Sequence, residues 1–161
     1  MKKILLLVLS LHFALHMKAQ VADSLSQAAD KKAIKTVVEN MLTAVGNYDA
    51  EALIKLCMPK ANVSGTSLKT GKWVSFSMTI DEFLGELESA PNARKYKETV
   101  NQWSISVENG QLAIVRAEAT LTRNGKPESH NIDYFTLVKE KGVWKIMCAA
   151  YTATPIQAQT K

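Results

Sequence analysis

Few side chains in this 161-residue chain have types and spacings that could do chemistry. His130 is the only histidine beyond residue 16, and Asp133 follows it by three positions. A histidine and a carboxylate can act together as base and orienting acid. On a regular strand, however, residues three apart point to opposite faces, so His130 reads as an exposed strand-entry residue. No G-x-S-x-G elbow and no HExxH pair occurs, and one histidine leaves no His-rich zinc arrangement. The seven glycines sit mainly at turns and form no phosphate cradle, so neither a metal nor a cofactor is expected.

Cys57 and Cys148 show neither CxxC nor zinc-like spacing. In an oxidising compartment they could pair and close a loop of about ninety residues, worth about 4–5 kcal/mol by loop entropy. The alternative is two small apolar thiols, Cys57 on a helix stripe and Cys148 inside a strand. Tyr48, Trp73, Trp103, Tyr134 and Tyr151 could line a ligand pocket, and each could equally be core.

The elements that must position these residues are legible from period and punctuation. Ser24 and Gln27 are spaced as a capping box, and Ile34, Val37, Val38, Met41, Leu42 and Val45 form one helical stripe that stops at Gly46-Asn47. Asp49 can cap a shorter helix carrying Leu53, Leu56 and Cys57, which Pro59 ends. Ala61 to Leu68 and Lys72 to Met78 read as strands about Gly71. Thr79 and Glu82 cap a third helix, closed by Ala90-Pro91. Four strands follow: Lys95 to Glu108, Gln111 to Thr122, Ser129 to Val138 and Val143 to Thr152. They are joined at Asn109-Gly110, Asn124-Gly125 and Lys141-Gly142. Helices followed by a meander define an α+β domain.

Lys2 and Lys3, the apolar run Ile4 to Leu15 and the small Ala19 make residues 1–19 a secretory signal peptide of the Sec type, too short for a comfortable membrane span. The alternative is an uncleaved N-terminal anchor. Export to the periplasm or beyond is the expected localisation, with no stable membrane insertion after removal of residues 1–19. That removal takes away three lysines and no acids, so the net charge falls from +5 to +2. Without a broad basic face, nucleic-acid binding is not expected. Residues 20–154 make a single domain, and 155–161 a flexible tail.

On the Gln111 to Thr122 strand, Ala113, Val115, Ala117, Ala119 and Leu121 share one face. A row of alanines either admits a closely packed helix or leaves room for a ligand. By parity, Ile132, Tyr134 and Thr136 share a face on the next strand, and Met147, Ala149 and Tyr151 on the last. Leu112, Ile114, Phe135, Leu137, Trp144 and Ile146 read as the opposite, outer side, to be covered by a second copy of the chain, by the N-terminal segment or by the tail.

The chain resembles the nuclear transport factor 2-like superfamily, in particular its SnoaL-like and putative lumazine-binding branches. The resemblance rests on the helix ending Gly46-Asn47-Tyr48-Asp49-Ala50, on Leu53 to Pro59 running into Ala61-Asn62-Val63, and on Ile80 to Leu84. It rests most on Asp133 to Lys139 followed by Gly142-Val143-Trp144-Lys145-Ile146. It spans nearly all of residues 28–152. It implies a cone-shaped, curved mixed sheet with about three helices on its concave face, often in dimers. Members include ketosteroid isomerases, cyclases, dehydratases and proteins that only bind.

The isomerase general base, carried across, falls at Ser64-Gly65-Thr66, which contains no acid, and the oxyanion-stabilising acid falls at Tyr134. Isomerase chemistry therefore has no evident base. The expected function is non-covalent binding of a small apolar or aromatic molecule. Tyr134, Tyr151, Trp103, Trp73, Tyr48, Met147, Ala117, Ala119 and His130 are the pocket candidates. The alternatives are a cyclase, dehydratase or isomerase, and a dimeric interaction module with an apolar patch at Phe135, Leu137 and Trp144.

Overall fold

The computed structural model describes residues 2–89 and 95–156, with side chains from residue 25 onward. The segment 1–19, expected from the sequence to be a signal peptide, lies outside the residues whose side chains are described, as do Ala90-Pro91 and most of the segment expected to be a tail. Three helices and six strands follow in order: α1 (Lys2–Asn47), α2 (Ala50–Leu56), β1 (Cys57–Lys69), β2 (Lys72–Thr79), α3 (Ile80–Glu88), β3 (Lys97–Glu108), β4 (Leu112–Arg123), β5 (Lys126–Glu140) and β6 (Val143–Pro155). The helices pack on a curved, unclosed mixed sheet of order β2-β1-β6-β5-β4-β3, so the fold is the α+β cone expected from the sequence.

Local chemistry explains most boundaries. Asp49 accepts the Ala52 amide at 2.9 Å and starts α2. Thr79 and Glu82 form the reciprocal capping box that opens α3. Both residues of the Asn124-Gly125 and Lys141-Gly142 turns have positive φ, the type I′ geometry that matches strand twist. α1 does not begin at Ser24 as the capping-box spacing predicts but runs through from Lys2, since neither Gly nor Pro interrupts residues 2–45. α2 ends at Leu56, three residues before Pro59, because Cys57 enters β1 beside Ile146 of β6. At the other end, Pro155 pairs with Ser129 and the Ile156 amide donates to the Glu128 carbonyl, so the sheet extends into the segment expected to be a tail.

The β1–β6 pair is parallel and every other pair antiparallel. Ile34, Val38, Met41 and Leu42 of α1, with Leu53, Ile80 and Leu84 of the other helices, form the core against the sheet. Burying each large aliphatic side chain contributes about 1.5–3 kcal/mol. Phe135, Leu137, Trp144 and Ile146 belong to this core rather than to the outer face where parity had placed them. Trp144 lies under α1, its Nε1 donating to Asp30 Oδ1 at 3.0 Å, and Lys139 pairs with the same oxygen at 2.5 Å.

Candidate functional site

The core does not fill the concave side completely. Toward the end of α1 a cavity of about 290 Å³ remains, walled by Met41, Leu42 and Val45 of α1, Phe83 and Leu87 of α3, and inward-facing residues of five strands and the loop before β3. Its rim is set by Gly46. The Gly46 carbonyl accepts the Tyr96 amide at 3.0 Å, and a Cβ at Gly46 would collide with the Tyr96 carbonyl. That close approach brings Tyr48 and Tyr96 edge to face, 6.4 Å between centroids, with the Arg123 guanidinium 5.4 Å from the Tyr96 ring. Gly65 plays a similar part on β1. Its bare Cα leaves room for the Phe76 and Tyr151 rings, which themselves meet edge to face at 5.9 Å.

One wall is polar. Asn131 and Glu98 line the cavity, and the Asn131 amide donates to Glu98 Oε1 at 2.5 Å. Asp133, on the same face of β5, lies between Ala117 and Tyr151 in the sheet and is only 4% exposed. Its Oδ2 has no hydrogen-bond partner among the described residues. Burial, reinforced by the nearby Glu98 charge, pushes the Asp133 carboxyl up to about 8. Burial also raises Glu98, partly opposed by its hydrogen bond from Asn131. Burial raises Tyr96 and Tyr151 as well, with the carboxyls adding to the effect. The group is a pair of acids in a largely apolar shell, where burial favours the neutral form of each.

Two of the nine pocket candidates, Tyr48 and Tyr151, line the cavity. Trp103 faces inward but packs against the core beside the cavity, with the Lys35 ammonium 4.9 Å from its ring centroid. Ala117 and Ala119 are buried without lining the cavity, so the small-residue row mainly serves close packing. The other four point away. Tyr134 is 49% exposed on the outer face, His130 is exposed beside it in parity, Trp73 sits on the edge strand β2 at 56%, and Met147 is 44% exposed. Met147 is turned out by a bulge: Thr136 pairs with Cys148 and Leu137 with Ile146, which leaves Met147 unpaired and reverses its parity. Cys57 and Cys148 are free thiols. Cys57 is opposite Ile146 on the buried face and Cys148 opposite Asn62, so the register does not bring them together.

Sequence reasoning missed Glu98, Asn131 and Asp133 as a group. Counting back from Trp103, Ile105 and Val107 puts Glu98 outside, but the register shift between Val100 and Gln102 turns Glu98 and Val100 inward. On β5 the signal was available. Asn131 and Asp133 share parity with Phe135 and Leu137, and two polar residues continuing an apolar face mark a polar pocket floor.

A curved α+β cone with helices over a cavity on its concave side defines the class. The chain belongs to the putative lumazine-binding family, whose model matches residues 29–152, and its fold is that of nuclear transport factor 2-like proteins. No curated relative matches it in sequence. Among solved structures, it is similar to a nuclear transport factor 2-like protein with a cystatin-like fold from Novosphingobium aromaticivorans (TM-score 0.65, 15% identity, covering 83% of this chain and 87% of that one). A protein from the same organism described as a putative scytalone dehydratase aligns with TM-score 0.62 at 16% identity, over 86% and 93%. A nuclear transport factor 2-like protein of unknown function from Silicibacter pomeroyi aligns with TM-score 0.57 at 20% identity, over 79% and 98%.

Proposed function

We propose that this chain is an exported protein, periplasmic or secreted after loss of residues 1–19, that binds a small apolar or aromatic molecule non-covalently in the cone. The observation that carries the reading is the cavity itself: about 290 Å³, walled mainly by aliphatic and aromatic side chains, with a few convergent polar groups at one side. Apolar burial supplies the driving force, and Asn131, Glu98 and Tyr151 orient the ligand's polar atoms. The name of the family is consistent with a bicyclic heteroaromatic guest. The exposed Ile114, Tyr134 and Met147 of the outer sheet face support the homodimer expected from the sequence.

A second reading is favoured by one observation. Asp133 is buried opposite the cavity residue Tyr151 with its carboxyl pushed up to about 8, a proton reserve one residue behind the wall for cyclase, dehydratase or isomerase chemistry at a bound ligand. This replaces Tyr134, which the outward turn of its strand position removes from any such role. The interaction-module alternative loses its surface, since Phe135, Leu137 and Trp144 are buried.

Native mass spectrometry of the chain purified gently from the exported fraction tests the binding reading. The expected result is a chain beginning at Gln20 that carries a small adduct lost on denaturation. A clean mass with no adduct, together with no uptake of added aromatic compounds, would overturn it.

A further inference from the structure

We propose that the cavity selects guests that carry a hydrogen-bond donor, an N–H or O–H, on an aromatic body, with Glu98 as the acceptor that reads it. The proposal rests on the binding reading above and names the ligand class for the same cavity.

Glu98 reaches the cavity through an irregularity in its strand. The register of β3 against β4 shifts between Val100 and Gln102, so Glu98, opposite Leu121, shares the inner face with Val100, opposite Ala119. The extra residue, Asn101, is exposed, and its amide nitrogen donates to the Thr120 hydroxyl at 2.9 Å. That bond ties the bulge to β4. Bulges re-aim side chains, and this one turns a half-buried carboxyl toward a largely apolar lining.

The polarity of that carboxyl is set from behind. Asn131 is 5% exposed, so its amide is held by the bonds it makes. Its Oδ1 accepts the Ser129 hydroxyl at 2.8 Å, and its Nδ2 donates to Glu98 Oε1 at 2.5 Å. Ser129, Asn131 and Glu98 thus form a chain in which each donates to the next. Burial raises the Glu98 carboxyl, and the bond from Asn131 opposes it, because an amide nitrogen can only donate and so favours the carboxylate. A carboxylate accepts at both oxygens. Among the described residues Asn131 is the hydrogen-bond partner of Glu98, and it occupies one of the two.

The second oxygen is left for the guest. An acceptor in a largely apolar cavity loses its hydrogen bonds to water when a guest enters, and a guest without a donor does not replace them. The hydroxyls of Tyr48, Tyr96 and Tyr151 impose no such demand, since a phenol can donate or accept. Their rings, with Phe83 and Phe135, supply the flat apolar walls that suit an aromatic body.

Calorimetric titration of the full chain at pH 8 with indole and with benzofuran tests this. The two compounds are uncharged and nearly isosteric, but indole carries one N–H and benzofuran none. Benzofuran is the more apolar, so burial alone favours it. The expected result is a preference for indole of about tenfold to a hundredfold, the worth of one hydrogen bond to a charged group. Glu98→Met should bind benzofuran at least as tightly as the natural chain does, which shows that the cavity is intact, and should lose the preference for indole. A comparison that needs no variant is 1-methylindole, which keeps the ring and lacks the N–H; it should lose the advantage of indole on the natural chain. If benzofuran or 1-methylindole binds the natural chain as tightly as indole, or if Glu98→Met keeps the preference, donor selection by Glu98 is overturned while the cavity reading stands. If none of the three compounds binds, both are overturned.

Discussion

Replacing Asp133 by Asn should remove a pH-dependent weakness from the fold. The carboxyl is 4% exposed, and its folded value is pushed up from 3.8 to about 8 by burial and then by Glu98. A raised carboxyl means that the native state holds a proton that the unfolded chain has already released. Stability from this group is therefore fully present below about pH 4 and is lost as pH rises toward 8. At about 1.4 kcal/mol per pH unit, the rise corresponds to on the order of 5 kcal/mol across that window. Small domains are stable by about 5–15 kcal/mol in total, so the loss is large enough to move a denaturation midpoint plainly. Asn has nearly the shape of the protonated acid and cannot ionise. Urea denaturation at pH 5, 6.5 and 8 should show the natural chain weakening as pH rises and Asp133→Asn weakening much less. The variant should start lower at pH 5, by about 1–3 kcal/mol, because its amide must find partners in an apolar shell. Parallel pH trends for the two proteins would refute the assignment of a buried, protonated Asp133.

Three further outcomes follow from the packing. Asp30→Ala removes the acceptor of the Trp144 indole and the partner of Lys139, and should cost about 1–3 kcal/mol by denaturant titration. The hydrogen bond from Lys139 holds the Asp30 carboxyl below its ordinary value, so its contribution is present above that value and disappears in acid. Gly65→Ala places a Cβ 2.6 Å from ring atoms of Phe76 and Tyr151, and should cost about 1–3 kcal/mol while weakening ligand uptake as Tyr151 shifts. Burial pushes the Cys57 thiol up to about 11, which leaves about one thiolate in a thousand at pH 8. Iodoacetamide should therefore label Cys148 in the folded chain and both cysteines only after denaturation, as read by intact mass.

The fold was legible because its punctuation is strong. Asn-Gly and Lys-Gly turns fix the meander, Asp49 and Thr79 open their helices, and the Ile34 to Val45 stripe has one clear face. The site was less legible because it depends on parity after irregularities. The shift at Asn101 brings Glu98 inside, and the bulge at Met147 sends that residue out. On β5 the pattern admitted two faces, and the aromatic Tyr134 drew the inward assignment that belongs to Asn131 and Asp133. The helix start at Ser24 was obscured for a different reason: an apolar segment with no breaker continues the helix whatever its capping residues.

The most direct test of the central claim is to close the cavity and look for the ligand. Ala153 lines the cavity between Ser67 and Asn131 in the sheet, where an indole would occupy the space. Native mass spectrometry of the natural chain and of Ala153→Trp, prepared side by side, should show a small adduct on the first and none on the second. An adduct of the same mass and occupancy on both proteins would place the ligand elsewhere and contradict the account.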